Sequence, residues 1–316
     1  VTTVLEGYLR LESNGIIRSK PQSGYFVQSQ ALSIIQDALN PDNADSEGKE
    51  PKSQNESVIQ YPTHIVNKKI IPLGSPLADM EYFPNKELGM HISQIASTYP
   101  EVINNYSVER ESESLVDAIL KCMMQANCVT PRNEIVVTGG GTQAMMIALK
   151  TLCEPGQTVA VESPGYRGFF YLLDFLKLNV YEVPSNSETG LSVEELKKAL
   201  QKGLKPACLL LSSNFSNPTG ALMPDERKRE LVKLCEKYDL PIIEDDTFGE
   251  VYFTGHRPTP LKALWPEKVI YIGSFTKTLA PGYRVAWIAS GQYMADARRY
   301  LDITARAIPM VLQMAL

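Results

Sequence analysis

Ser274-Phe275-Thr276-Lys277-Thr278-Leu279-Ala280-Pro281-Gly282-Tyr283-Arg284 follows the apolar run Val269-Ile270-Tyr271-Ile272. An apolar run this short, ending in a loop, reads as a buried strand that delivers its loop to one mouth of a sheet. The loop holds a lysine between two hydroxyl residues and an arginine seven positions on. A lysine amine condenses with aldehydes, and hydroxyls with an arginine fork suit a phosphate dianion. By itself a Ser-x-x-Lys is equally at home on a solvated surface, so the rest of the chain has to decide.

Upstream, strands and helices alternate from Ile70 onward, the pattern of a doubly wound, mostly parallel α/β sheet. Strands are predicted at 135–138, 158–161, 180–183 and 208–211, and a further one from Pro241 runs into Glu244-Asp245-Asp246. The stretch Gly139 to Gln143 leads into a helix through Leu152, and Glu162 to Tyr166 into one through Leu176. Ser192 with Glu195 three residues on reads as a capping box, and Pro224 opens an amphipathic helix through Tyr238.

Doubly wound sheets bind ligands at the carboxyl ends of their strands, and several such ends carry chemistry here. Gly139 to Gln143 places glycines at a helix start, where backbone N–H groups and the Thr142 hydroxyl can cradle a phosphate or simply form a packing turn. Tyr166, after a Pro-Gly turn, is able to lie against a planar ring or to be ordinary half-buried surface. Asn217, in Asn-Pro-Thr-Gly, offers an amide to a phenolic oxygen, or marks a turn. Asp245, at the end of a buried strand, needs a partner such as a protonated pyridine nitrogen, a salt bridge or a helix end to cap. The cofactor that uses a lysine–aldehyde imine is pyridoxal phosphate (PLP).

In this order and spacing the motifs resemble fold-type-I PLP enzymes of the aminotransferase class, over about residues 70–316. The resemblance implies that Lys277 bonds the cofactor's aldehyde and that Asp245 keeps the pyridine nitrogen protonated. It further implies that Asn217, across a cis bond to Pro218, bonds the phenolic oxygen and that Tyr166 stacks on the ring. Gly141, Thr142, Gln143, Ser274 and Arg284 would hold the phosphate, and Tyr106 would reach the phosphate of a neighbouring subunit. Two departures stand out. Glu111 occupies the place of a glycine expected after Tyr106, and Thr247 and Phe248 stand where the family has a tyrosine bonded to the phenolic oxygen.

Residues 1–30 carry a helical face (Val4, Leu5, Tyr8, Leu9, Leu11) that Asn14-Gly15 stops. Ile16-Ile17, a basic-polar turn over 18–24 and Tyr25-Phe26-Val27 then form a hairpin. This pair is similar to the recognition helix and wing of a GntR-type winged helix-turn-helix, although it would also serve as a cap on another domain. Arg18 and Lys20 are the expected DNA contacts, though with Arg10 against Glu6 and Glu12 the segment carries only a net +1. Residues 31–69, with the polar stretch beginning at 28, read as a linker containing one helical turn near Leu32–Leu39. The whole resembles the MocR branch of GntR regulators, in which an aminotransferase-like domain senses an effector behind a DNA-binding head. The expected partners are double-stranded DNA, a small amine or amino acid and a second copy of the chain. A cytosolic amino-acid aminotransferase with an N-terminal arm is the alternative reading. Against the family's pattern the sequence is expected to be a fragment, lacking earlier head helices and the small C-terminal domain.

Composition is compatible with both readings. The 316 residues carry a formal charge of −5, which gives no general attraction to nucleic acid or anionic membrane. Five cysteines without a Cys-x-x-Cys pair fit a reduced, cytoplasmic setting, and three scattered histidines offer no zinc pattern. The apolar runs, such as Ala144 to Leu149, are too short to span a bilayer, and the first residues show no signal-peptide pattern.

Overall fold

A computed structural model describes residues 2–13, 16–20, 22–27, 78–105, 109–253 and 255–316. The expected linker, the helical turn near Leu32–Leu39, the stop at Asn14-Gly15 and Tyr106 lie outside the described residues. The chain divides into two units, Val1–Glu47 and Gly48–Leu316.

In the first unit α1 (Thr2–Ser13) leads into a hairpin of β1 (Ile17–Lys20) and β2 (Gly24–Val27). The pairing runs from Ile17 opposite Val27 to Lys20 opposite Gly24, so the turn is tighter than the 18–24 read from sequence. Arg18, Ser19 and Lys20 extend the strand beyond the buried Ile17 with their side chains in solvent. Gln22 and Gly24 take positive φ, 63° and 92°, which closes the turn within two or three residues. Tyr8 stacks on Tyr25 at 4.5 Å and Glu12 Oε1 accepts the Ser19 N–H at 2.7 Å, tying helix to hairpin.

Among the described residues of the second unit, a 3-10 turn at Met80–Tyr82 comes first, then α2 (Asn85–Thr98), α3 (Glu101–Asn104) and α4 (Glu113–Gln125). Alternation follows: β3 (Ile135–Thr138), α5 (Gly141–Leu152), β4 (Thr158–Ser163), α6 (Arg167–Phe175), β5 (Asn179–Asn186), β6 (Gly190–Leu191), α7 (Val193–Gln201) and β7 (Cys208–Leu211). Next come α8 (Asp225–Tyr238), β8 (Ile242–Asp245), β9 (Val269–Ser274), β10 (Ala286–Ala289), α9 (Met294–Thr304) and α10 (Met310–Met314).

These strands form an eight-stranded sheet in the order β3-β10-β9-β8-β7-β4-β5-β6. Pairing is parallel from β9 through β8, β7 and β4 to β5. The short apolar run 286–289, unread from sequence, inserts antiparallel between β3 and β9. Two reversals leave β3 pointing the same way as β9, so the carboxyl ends of β3, β4, β7, β8 and β9 share one edge. The chain crosses the sheet outward from β4 to β6, then back from β7 to β10, so its direction of travel reverses between the neighbours β4 and β7.

Both faces are covered, which is why β7 reads Cys-Leu-Leu-Leu without alternation. Val159, Val161, Cys208 and Leu210 pack under α5, α6 and α9, with Ala144, Ile147, Phe169 and Leu301. Ala160, Leu209 and Leu211 pack under α7 and α8, with Leu196, Leu231 and Cys235. Truncating one such leucine costs about 2–5 kcal/mol. The Ser192 cap is half of the expected box: Ser192 Oγ accepts the Glu195 N–H at 3.3 Å, but the Glu195 carboxylate turns to Lys198 at 2.7 Å. Pro224 stands one position earlier than expected, as the N-cap of α8.

Candidate cofactor site

Lys277, Asp245, Arg284 and the first turn of α5 converge at the shared strand edge. The convergence starts with Gly140, the N-cap of α5, whose φ of 103° is open to glycine but strained for any residue with a Cβ. The first internal helix bond is Ala144 N–H to Gly140 O at 3.1 Å, so the N–H groups of Gly141, Thr142 and Gln143 are the helix's orphan donors. Missing side chains leave room for Arg284: a Cβ on Gly140 would lie 2.9 Å from the guanidinium carbon. A Cβ on Gly141 would lie 3.8 Å from Thr247 Oγ1, which puts the helix start beside the Asp245 loop.

Arg284 itself is held in the left-handed region, φ 55°, after the loop that follows β9. Its Nη1 donates to Thr276 Oγ1 at 3.5 Å, and Ser274 Oγ donates to the same Thr276 oxygen at 2.8 Å. Thr276 N–H returns a bond to Ser274 Oγ at 3.1 Å. Thr276 thus links two expected phosphate ligands, a role its position beside the lysine left unassigned in the sequence. The Gln143 side chain is engaged within the protein. Its Oε1 accepts the Gly139 N–H at 2.6 Å and its Nε2 donates to Thr304 at 3.0 Å, so what Gln143 offers a phosphate is its backbone.

Asp245 ends β8 surrounded by protein yet keeps some exposure at the edge. Burial pushes its carboxyl above the usual range, while the Thr247 hydroxyl and N–H pull it back. Both bonds fall on Oδ1, at 2.5 Å and 3.0 Å, so Oδ2 is not used by them. Lys277 is half-buried, and burial holds its amine below the ordinary lysine value; negative Asp245 opposes that and positive Arg284 adds to it. A lowered pKa raises the fraction of unprotonated, nucleophilic amine. The Lys277 Nζ lies 5.1 Å from the centre of the Phe248 ring.

Two further loops flank these groups. Asn217 is partly buried, and its bond to Pro218 is cis, as expected; Ser163-Pro164 is also cis. The loop carrying Asn217 is fixed from behind: Asn214 Nδ2 donates to Asp246 Oδ1 at 2.9 Å, and buried Arg257 donates to Asp246 Oδ2 at 2.6 Å. Buried Lys228 completes the lock with a 2.6 Å bond to Asn214 Oδ1. Tyr166 caps α6, exposed, its ring folded over Gly168 and edge-on to Phe169 at 5.4 Å. Tyr106 falls outside the described residues. In the separate first unit, Arg18 and Lys20 are exposed two residues apart on β1, hence on one face, and Lys20 Nζ lies 4.9 Å over the Phe26 ring.

This donor set fits pyridoxal phosphate. Orphan helix N–H groups, an arginine and hydroxyls suit the phosphate, a buried carboxylate suits a cationic ring nitrogen, and a depressed lysine suits an aldehyde.

Fold and donor set together define an aminotransferase-like domain. The chain belongs to the aminotransferase class I and II family, whose pattern matches residues 100–314. Among curated relatives, the uncharacterized HTH-type transcriptional regulators YjiR and YdcR of Escherichia coli are 32% and 30% identical, over 93% and 99% of this chain. The chain spans 62% and 66% of the length of those two relatives. Aromatic-amino-acid aminotransferase 1 of Thermococcus litoralis is 28% identical over 76% of this chain and 58% of its own length. Among solved structures, the α-aminoadipate aminotransferase LysN of Thermus thermophilus, complexed with N-(5'-phosphopyridoxyl)-L-leucine, superposes with a TM-score of 0.71 at 28% identity. The match covers 76% of this chain and 61% of that one. Among the described residues, no helix is long and apolar enough to cross a membrane.

Proposed function

We propose that this chain is part of a PLP-dependent transcriptional regulator that senses an amine or amino acid in its aminotransferase-like unit and binds DNA through its N-terminal head. The observation that carries this reading is where the similarities extend. The likeness to YdcR covers 99% of the chain and so takes in the α1–hairpin unit, whereas the aminotransferase likenesses cover 76%.

When bound, the cofactor supplies an aldehyde for amines and a ring that takes up electrons. Lys277 would hold the cofactor through its aldehyde, and Asp245 would face the ring nitrogen and favour its protonated form. Arg284, Ser274 and the N–H groups of Gly141 to Gln143 would hold the phosphate, Asn217 would donate to the phenolic oxygen, and Tyr166 would cover the ring. The head contacts DNA phosphates through Arg18 and Lys20, and two heads in a dimer add their affinities through linkage. The expected setting is the cytoplasm.

The identity to an aromatic-amino-acid aminotransferase favours one second reading, a transaminase with an N-terminal arm. One experiment separates them. PLP-loaded full-length protein is titrated with duplex DNA from upstream of its own gene, with and without amino acids, while 2-oxo acid turnover is followed. Salt-sensitive DNA binding that an amino acid alters supports the regulator; steady turnover without DNA binding supports the transaminase.

A further inference from the structure

Glu162 ends the core of β4 with a side chain wholly removed from solvent, in a position that the aminotransferase-like reading leaves without a role. Its Oε1 accepts the Ser212 N–H at 2.9 Å and the Ser216 hydroxyl at 2.9 Å. Its Oε2 is also buried and has no hydrogen-bond partner among the described residues. Ser212 directly follows β7 and Ser216 directly precedes Asn217. The two bonds therefore span the β4–β7 gap, where the chain's path across the sheet reverses and open α/β sheets take their ligands.

The other side of Glu162 is just as closely engaged. A Cβ on Gly165 would stand 2.5 Å from the Glu162 carbonyl oxygen and 3.3 Å from its Cγ, so the turn leading to Tyr166 wraps directly on this residue. Ser216 is fixed twice more, by its N–H to Ala221 O at 2.9 Å and by the Gly220 N–H at 2.5 Å. A shift of Glu162 would thus be passed to Asn217 through a short, rigid loop.

We propose that Glu162 is a positioning residue of the cofactor site, clamping together the two strand-end segments that carry Asn217 and Tyr166. The proposal rests on the pyridoxal reading of the site. Its single hydrogen-bonding oxygen does the clamping, and nothing opposite Oε2 calls for a negative charge. Burial accordingly lifts the carboxyl to about 7, with nearby Asp245 adding to the rise and the Ser212 and Ser216 bonds holding it down. Glutamine, which keeps the accepting oxygen, can replace it; alanine cannot.

The test measures PLP affinity of the full chain by equilibrium titration for wild type, Glu162→Gln, Glu162→Ala, Ser216→Ala and the Glu162→Ala/Ser216→Ala pair, with unfolding of each PLP-free protein in parallel. Glu162→Gln should stay within about twofold of wild type, and Glu162→Ala should weaken PLP about tenfold. Ser216→Ala should weaken it about threefold, and the pair should be no weaker than Glu162→Ala alone, since both changes break one clamp. Should Glu162→Ala not fold, Ser216→Ala and Glu162→Gln decide. Wild-type affinity in both alanine variants, or a loss in Glu162→Gln matching Glu162→Ala, overturns the proposal. A wild-type chain that takes up no PLP overturns the pyridoxal reading and this proposal with it.

Discussion

Arg284 occupies the space in which a side chain at Gly140 would stand: an added Cβ would lie 2.9 Å from the guanidinium carbon and 3.3 Å from Nε. The glycine therefore has two reasons to be glycine, its positive φ of 103° and the arginine above it. Gly140→Ala should push the guanidinium aside and strain the helix start by about 1–3 kcal/mol. PLP should bind at least about tenfold more weakly, with α5 still formed, as read by PLP titration beside circular dichroism.

The contact between Lys277 and Phe248 makes a spectroscopic prediction. Phe248 supplies no hydroxyl where its ring faces the amine 5.1 Å away. Tyrosine there would donate to the cofactor's phenolic oxygen and stabilise its anion, lowering the proton affinity of the neighbouring nitrogen. Phe248→Tyr should move the pH at which the bound cofactor changes absorbance down by about one unit, the worth of one hydrogen bond. An unmoved or raised transition would place Phe248 away from that oxygen.

Glu162 gives a stability prediction with a definite sign. Its folded pKa, about 7, lies above the ordinary 4.5, because burial disfavours the charged form. Between those values the folded chain holds a proton that the unfolded chain has released. The stability contributed by the neutral carboxyl is therefore complete below about 4.5 and is lost as the pH rises through about 7. Wild type should thus lose stability relative to Glu162→Gln over that window, by on the order of 2–3 kcal/mol. Urea unfolding of the PLP-free proteins at pH 5 and pH 8 measures it, and a pH-independent difference would mean that the carboxyl is already ionised.

How far these residues were visible beforehand follows from physics. Buried strands such as Cys208–Leu211 and the glycine-led helix start are written in local apolar runs and turn residues, so their places were legible. Lys277, Asp245 and Arg284 were legible because each sits where a strand delivers it. Glu162 was not, since its partners Ser212 and Ser216 lie on the loop after β7, some fifty positions on; Thr247 and Thr276 were not, since their bonds to Asp245 and Ser274, two positions away, depend on how each loop turns. β10 was missed because four apolar residues after a loop carry no sign of direction, and its antiparallel insertion is decided by β3 and β9. The bond from the Gln143 side chain to Thr304 was unread because it depends on α9 packing on α5.

On the head, Arg18 and Lys20 share one face of β1 in solvent. If they meet phosphates, changing both to alanine should lower DNA affinity whatever the sequence, and reduce the salt slope by about two. Fluorescence anisotropy across a range of salt concentrations reads both. An unchanged slope would take the phosphate contacts elsewhere.

Borohydride reduction of the PLP-treated full-length protein, followed by peptide mass mapping, asks most directly whether this is a pyridoxal site. The mass of a reduced phosphopyridoxyl group should appear on Lys277 and disappear in Lys277→Ala. A label on another lysine, or equal trapping in Lys277→Ala, would contradict the assignment.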